Sequence, residues 1–330
     1  MNDSELLEPL RGVEPGAGGG VDVARAIRDG RRRRRNGRAL SLVAAVAMVF
    51  GAAVVGPAVL RGLSPGPAAS AAFDPLRVVA QVGSAGGFTP VEYRTGRHRQ
   101  EVVLGLEDDR AAGERGIVLI HAAGWFPGQD GPEWRPDGDR APDVGGRAAW
   151  WRGDSELVWE WAEHSWAVVR VAGGFPDLRD RAHRVAQSVD TSRSLPVTVP
   201  LTVEAAAVTP PMRLAGVHVP LRQGNVIGSL VFADDDAAEA ASLVVSLHTD
   251  GVPGRDVPAD RQVAGRPATA SVDVLAVAAP TGEYAIRVTA VHGELSVFGA
   301  SRGLVALAEA TTPVSDPKDR RTWVADPLTR

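Results

Sequence analysis

The sequence predicts an α+β protein: one transmembrane helix plus an antiparallel-sheet extracytoplasmic domain with a covering helix and a β-rich C-terminal part. Three observations predict it. Residues 39–60 carry no charge, short apolar runs of strand length recur from residue 76 onward, and residues 177–189 form an amphipathic stretch of helical period. The first needs a membrane, the second a sheet with a core, and the third a helix to cover that sheet.

From Ala39 to Leu60 the chain reads ALSLVAAVAMVFGAAVVGPAVL, 22 residues that are apolar on every side and unbroken until Pro57. As a helix this segment rises about 33 Å, enough for a bilayer core. A surface helix of a globular core would instead show a polar side. Arg31, Arg32, Arg33, Arg34, Arg35 and Arg38 precede it and only Arg61 follows closely. The positive-inside rule therefore sets the N-terminus in the cytoplasm and the remainder outside the cell membrane. An alternative is cleavage of an export signal at Ala69-Ser70-Ala71, but 38 residues before a 22-residue span suit a retained signal-anchor better.

Charge divides in the same place. Residues 1–38 hold nine arginines against six acids, a balance of +3, and residues 39–330 hold 27 bases against 34 acids, a balance of −7. A positive tail beside an apolar span suits the lipid bilayer as partner, and the acidic remainder argues against nucleic acid. No cysteine is present, so disulfides and thiolate metal sites are excluded.

The expected organisation is a basic cytoplasmic tail, 1–38, largely disordered; the transmembrane helix, 39–60; a small-residue linker, 61–73; an α+β extracytoplasmic domain, 74–200; a β-rich extracytoplasmic domain, 201–312; and an irregular tail, 313–330. In the cytoplasmic tail, Asp22 is a good N-cap, and Val23, Ala26 and Ile27 make one apolar stripe. Residues 22–35 are thus either a docking element for a cytoplasmic regulatory protein or a juxtamembrane stop signal. Beyond the linker, the spacing predicts strands at 76–82, 101–106, 116–122, 147–151, 156–161 and 166–171, the last three joined by turns at Arg152-Gly153-Asp154 and Glu163-His164-Ser165. Leu178, Ala182, Val185, Ala186 and Val189 share one helical face over 177–189. Further strands are expected at 196–203, 212–219, 226–232, 242–247, 271–278 and 284–291, with 295–298 and 304–308 added, and no solenoid repeat of fixed period is visible.

The poly-arginine tail and anchor, the W-x-x-G-x-x-x-x-x-W-x-W pattern from Trp150 to Trp161 and the LRDRAHRVAQSV stretch together resemble a known group. It is the actinobacterial-type single-pass membrane proteins associated with extracytoplasmic-function sigma factors, with lipoprotein-like sensor ectodomains. The resemblance covers roughly residues 22–200. It implies an envelope ligand outside and a possible sigma factor at the tail. The His/Cys motif of the zinc-binding members is absent from this tail.

Chemical motifs are sparse. Gly299-Ala300-Ser301-Arg302-Gly303 matches the nucleophile elbow G-x-S-x-G, yet no histidine follows Ser301, as the chain order of that hydrolase fold requires. The seven histidines lack any metal-binding spacing, and Asp234-Asp235-Asp236 lacks the alternate spacing of a calcium loop. No phosphate-binding loop is present, so no cofactor is expected. Trp150, Trp151, Trp159, Trp161 and Trp166 are the candidate ligand-binding cluster, as a platform for sugar rings or an apolar ligand; the competing reading is core packing. The expected function is a non-catalytic, membrane-anchored extracytoplasmic regulator or sensor. The alternatives are an anchored or secreted lipid- or carbohydrate-binding module and, third, an envelope hydrolase acting through Ser301.

Overall fold

The computed structural model describes residues 71–106, 116–126, 135–208, 212–222, 224–234, 242–291 and 302–330, all within one compact unit, Leu63–Arg330. The expected cytoplasmic tail, the apolar span, the strand expected at 295–298 and Ser301 lie outside the described residues. Among those described, no helix is long and apolar enough to cross a membrane.

The elements in chain order are β1 (Arg77–Val78), β2 (Gln81–Val82), β3 (Phe88–Gly96), β4 (Arg99–Leu106), β5 (Gly116–His121), β6 (Asp139–Val144), β7 (Arg147–Arg152), β8 (Glu156–Ala162) and β9 (Ser165–Val171). Helix α1 (Leu178–Gln187) follows, then β10 (Val189–Asp190), β11 (Leu195–Pro196), β12 (Leu201–Glu204), β13 (Arg213–Pro220), β14 (Val226–Ala233), β15 (Ser242–His248), β16 (Arg261–Val263), β17 (Arg266–Ala270), β18 (Val274–Ala278) and β19 (Ala285–Val291). Helix α2 (Arg302–Glu309), β20 (Thr311–Pro313) and β21 (Leu328–Thr329) complete the chain.

Fourteen of these strands form one antiparallel sheet in the order β16-β17-β18-β19-β15-β14-β13-β3-β4-β5-β9-β8-β7-β6. Read outward from the β3/β13 seam, both halves are the same object. Three strands meander, the fourth crosses to the far edge, and three more meander back until the seventh pairs with the third. A helix follows each seventh strand: α1 lies on β8 and β9, and α2 on β18 and β19. A short strand before each half pairs with the strand after its helix, Val82 opposite Val189 in one and Val203 opposite Thr311 in the other. The folded unit is thus a duplication of a seven-stranded, one-helix unit, with the two first strands paired antiparallel about a pseudo-two-fold axis.

The sequence carries traces of this. Val118-Leu119-Ile120-His121-Ala122-Ala123-Gly124 in the third strand of the first half matches Val245-Ser246-Leu247-His248-Thr249-Asp250-Gly251 in the third strand of the second. Both glycines take a left-handed φ, 78° and 58°, where a side chain would be strained. The buried helix positions Ala182, Val185 and Ala186 recur as Leu304, Leu307 and Ala308 with the same spacing.

Alternation along each strand sends one set of side chains toward the helices and the next to the opposite face. The helix side holds the two large cores. One includes Phe88, Leu104, Ile120, Leu157, Trp159 and Val185, and the other Leu201, Phe232, Leu247, Ile286, Leu307 and Trp323. Helix α1 forms where its apolar positions recur every three or four residues, and Asp177 at its start accepts from Arg181 Nε one turn on, at 2.7 Å.

The antiparallel sheet with a covering helix is as the sequence predicts, while β3, β6, β16 and β17 fall outside the expected runs. The run at 304–308 lies in α2 rather than a strand, because its apolar residues fall three and four apart and bury one side against β18 and β19. The 313–330 segment is not wholly irregular. Its Leu328 pairs beside Val203, and Trp323, 9% exposed, joins the second core. Residue 200 lies just before β12, where the second half begins, and the fourteen-stranded sheet joins the two halves from β3 to β13.

Candidate functional site on the face opposite the helices

Strand register aligns one row of side chains across this face. Starting in the second half it runs Arg287, Ser246, Ser229 and His218, passes the seam, and continues through Arg94, Glu101, Leu119, Val168, Val158 and Trp150. The row changes character between β4 and β5. From β5 outward Leu119, Val158, Val168 and Trp150 pack with Phe126 and Trp166 as a small apolar cluster, whereas from Arg287 to Glu101 the row is polar.

This arrangement places the predicted tryptophans. Trp151, Trp159 and Trp161 point to the helix side and lie in the large core, 7%, 3% and 7% exposed, and Trp166 is 1% exposed on the opposite face. Four of the five indoles are therefore packing, and only half-buried Trp150 keeps appreciable surface, with Arg140 5.3 Å above its ring. Among the described residues the exposed indole is Trp125, outside the predicted cluster, stacked on His98 at 3.5 Å.

At the seam the Arg94 guanidinium donates to both oxygens of Glu92 at 3.0 Å and to Glu101 at 2.7 Å. His218, directly opposite Arg94, is held below its ordinary pKa chiefly by burial, which the nearby Glu92 carboxylate opposes. Arg94 and the two carboxylates satisfy one another.

The second half brings together groups that sequence reasoning missed. Ser246 Oγ lies 2.8 Å from His248 Nε2, and His248 Nδ1 lies 3.8 Å from Asp250 Oδ1. The three residues alternate along one strand and its extension, so strand geometry alone sets them on one face. With its proton on Nδ1, toward Asp250, the imidazole accepts from the serine hydroxyl. The turn carrying Asp250 is braced: Asn225 Nδ2 donates to Asp250 Oδ2 at 2.9 Å, and an Arg287 amine to the Asp250 backbone oxygen at 3.0 Å. Below it Val252 is fully buried with Ala278 and Ala285. The legible signal was the S-x-H-x-D alternation at 246–250.

His121 and His248 occupy matching positions in the two halves, and both are pushed down to about 4, first by burial and then by a neighbouring arginine, Arg99 or Arg287. Each is protonated in the unfolded chain below its ordinary value of 6.5 but stays neutral in the fold until about 4. Stability is therefore full above that ordinary value and falls as pH drops through the interval, by up to about 1.4 kcal/mol per pH unit for His121. His121→Gln is expected to flatten the decline in urea midpoint between about pH 7 and about pH 5. An unchanged decline in the variant would show that His121 does not titrate with unfolding.

Among the described residues no three His, Asp or Glu side chains converge on a metal-sized site. Searches of protein-family models, of curated proteins and of solved structures find no match to this chain.

Proposed function

We propose that this chain is a membrane-anchored extracytoplasmic regulator or sensor whose ectodomain recognises an envelope ligand on the face opposite the helices. The observation that carries the reading is the difference between the two halves. One scaffold is used twice, yet where the first copy has Leu119, Val168 and Ala123 the second carries Ser246, Arg287 and Asp250. A scaffold that folds with Leu119 and Val168 in one copy does not need serine and arginine at the corresponding places in the other. The uncharged span at 39–60 and the six arginines before it support the anchor and its orientation, and residues 22–35 offer a cytoplasmic partner, a sigma factor included, a short apolar stripe.

Protease treatment of intact cells expressing the chain with a tag at each end tests this topology. Loss of the C-terminal tag, protection of the N-terminal one and full-length mass in the membrane fraction are expected. A product in the medium starting near Ala72 would show a secreted domain and remove any role for the tail.

A further inference from the structure

We propose that Ser246, His248 and Asp250 act as nucleophile, general base and orienting carboxylate, accepting an acyl group from carboxylic esters. This goes beyond ligand recognition, departs from the non-catalytic function the sequence suggested, and does not depend on the anchor. Two observations carry it independently. The first is the Ser246 Oγ–His248 Nε2 hydrogen bond at 2.8 Å, with Asp250 Oδ1 beyond hydrogen-bond length at 3.8 Å from the other ring nitrogen, the order of nucleophile, base and acid that recurs at activated serines on unrelated folds. The second is the internal comparison. The other copy keeps the histidine, His121, but has Leu119 and Ala123 where Ser246 and Asp250 stand, so the fold requires neither.

In the step, Ser246 Oγ attacks the ester carbonyl carbon as its proton passes to His248 Nε2. Ser229 in β14 sits directly opposite Ser246, at the cross-strand separation of about 5 Å that lets its hydroxyl face the developing oxyanion, while Arg287 on the other side is held by the Asp250 backbone oxygen and carboxylate at 3.0 and 3.5 Å. Collapse breaks the bond to the leaving oxygen, which takes the proton from His248 and departs as an alcohol. Water, deprotonated by the same imidazole, then attacks the acyl-serine, and the carboxylic acid leaves as Oγ regains its proton. The balance is ester and water to acid and alcohol. Burial keeps the imidazole unprotonated near neutral pH. Ser246 keeps only 6% of its surface, which restricts the acyl group to a slim chain.

The test uses the detergent-solubilised full chain, a biotinylated fluorophosphonate and p-nitrophenyl acetate, with the labelled serine located by peptide mass spectrometry. The expected result is an adduct on Ser246, absent in Ser246→Ala, with labelling and ester hydrolysis slowed about 100-fold or more in His248→Gln. Ser301→Ala, in the elbow-like motif, should label as the wild type does. Circular dichroism of each variant separates loss of the nucleophile from loss of fold. No adduct on folded wild type, an adduct on Ser301, or labelling unaffected by His248→Gln would overturn the proposal. Because the chain is taken out of the membrane, none of these outcomes depends on its topology.

Discussion

Replacing Gly216 by valine is expected to destabilise the folded unit by roughly 2–4 kcal/mol, at the upper end of what single substitutions do. Gly216 in β13 lies directly opposite Gly96 in β3, at the seam where the two halves meet. A Cβ on Gly216 would stand 2.4 Å from the Thr95 backbone oxygen, and one on Gly96 would stand 2.6 Å from the Arg99 oxygen. Backbone oxygens in a paired strand cannot swing aside as a side chain can. The register with β14 shifts between Leu214 and Gly216, so the seam already holds an irregularity that a branched side chain would have to displace. Gly174→Ala is the matched control, since a Cβ there meets nothing within 4 Å and should change stability by less than about 0.5 kcal/mol. Urea denaturation of the solubilised chain measures both. If the two variants unfold at the same midpoint, β13 and β3 do not approach as closely as described.

Truncating Trp166 to alanine should cost about 3–5 kcal/mol, because it removes a large buried ring and leaves a cavity that the sheet cannot close. Trp166 is 1% exposed and meets Phe126 and Trp150 at centroid distances of 6.1 and 5.8 Å. Trp125, 44% exposed above His98, provides the contrast: Trp125→Ala should cost less than about 1 kcal/mol. Equal, small losses in the two variants would show that the tryptophan cluster is a surface platform after all.

The comparison of sequence with structure follows the range of the signals. The period-two alternation of 156–171 and the three- and four-residue spacing of 178–186 are local, and both elements lie where their patterns place them. Helix α2 is local as well, but its five apolar residues in LVALA resemble a buried strand, and only the sheet beneath them decides between the two. The duplication was illegible to a search for a fixed period because its matching segments do not keep one spacing. His121 and His248 are separated by 127 residues and Ala182 and Leu304 by 122, as differing loops intervene. What the halves share is a pattern of burial with few identities: Leu-x-Val-x-Ala-x-Val at 76–82 and Val-x-Val-x-Leu-x-Val at 197–203. The tryptophans drew attention for their rarity, whereas large rings are most often core. Ser246, His248 and Asp250 drew none, because nothing in a single strand's sequence says which alternate face a neighbouring helix leaves free.

The most direct test of the two-fold arrangement is a cross-link at its seam, in a chain that has no cysteine of its own. Arg94 and His218 are direct partners across β3 and β13, on the face away from both helices. Their separation as antiparallel partners, about 4.5–5.5 Å between Cα atoms, is within disulfide reach. In the full chain carrying Arg94→Cys and His218→Cys, mild oxidation should give a monomer that lacks two hydrogens by mass and has no free thiol, while either single variant stays reduced. Persistence of both thiols in the folded double variant, or cross-linking only between chains, would contradict the joining of the two halves through their first strands.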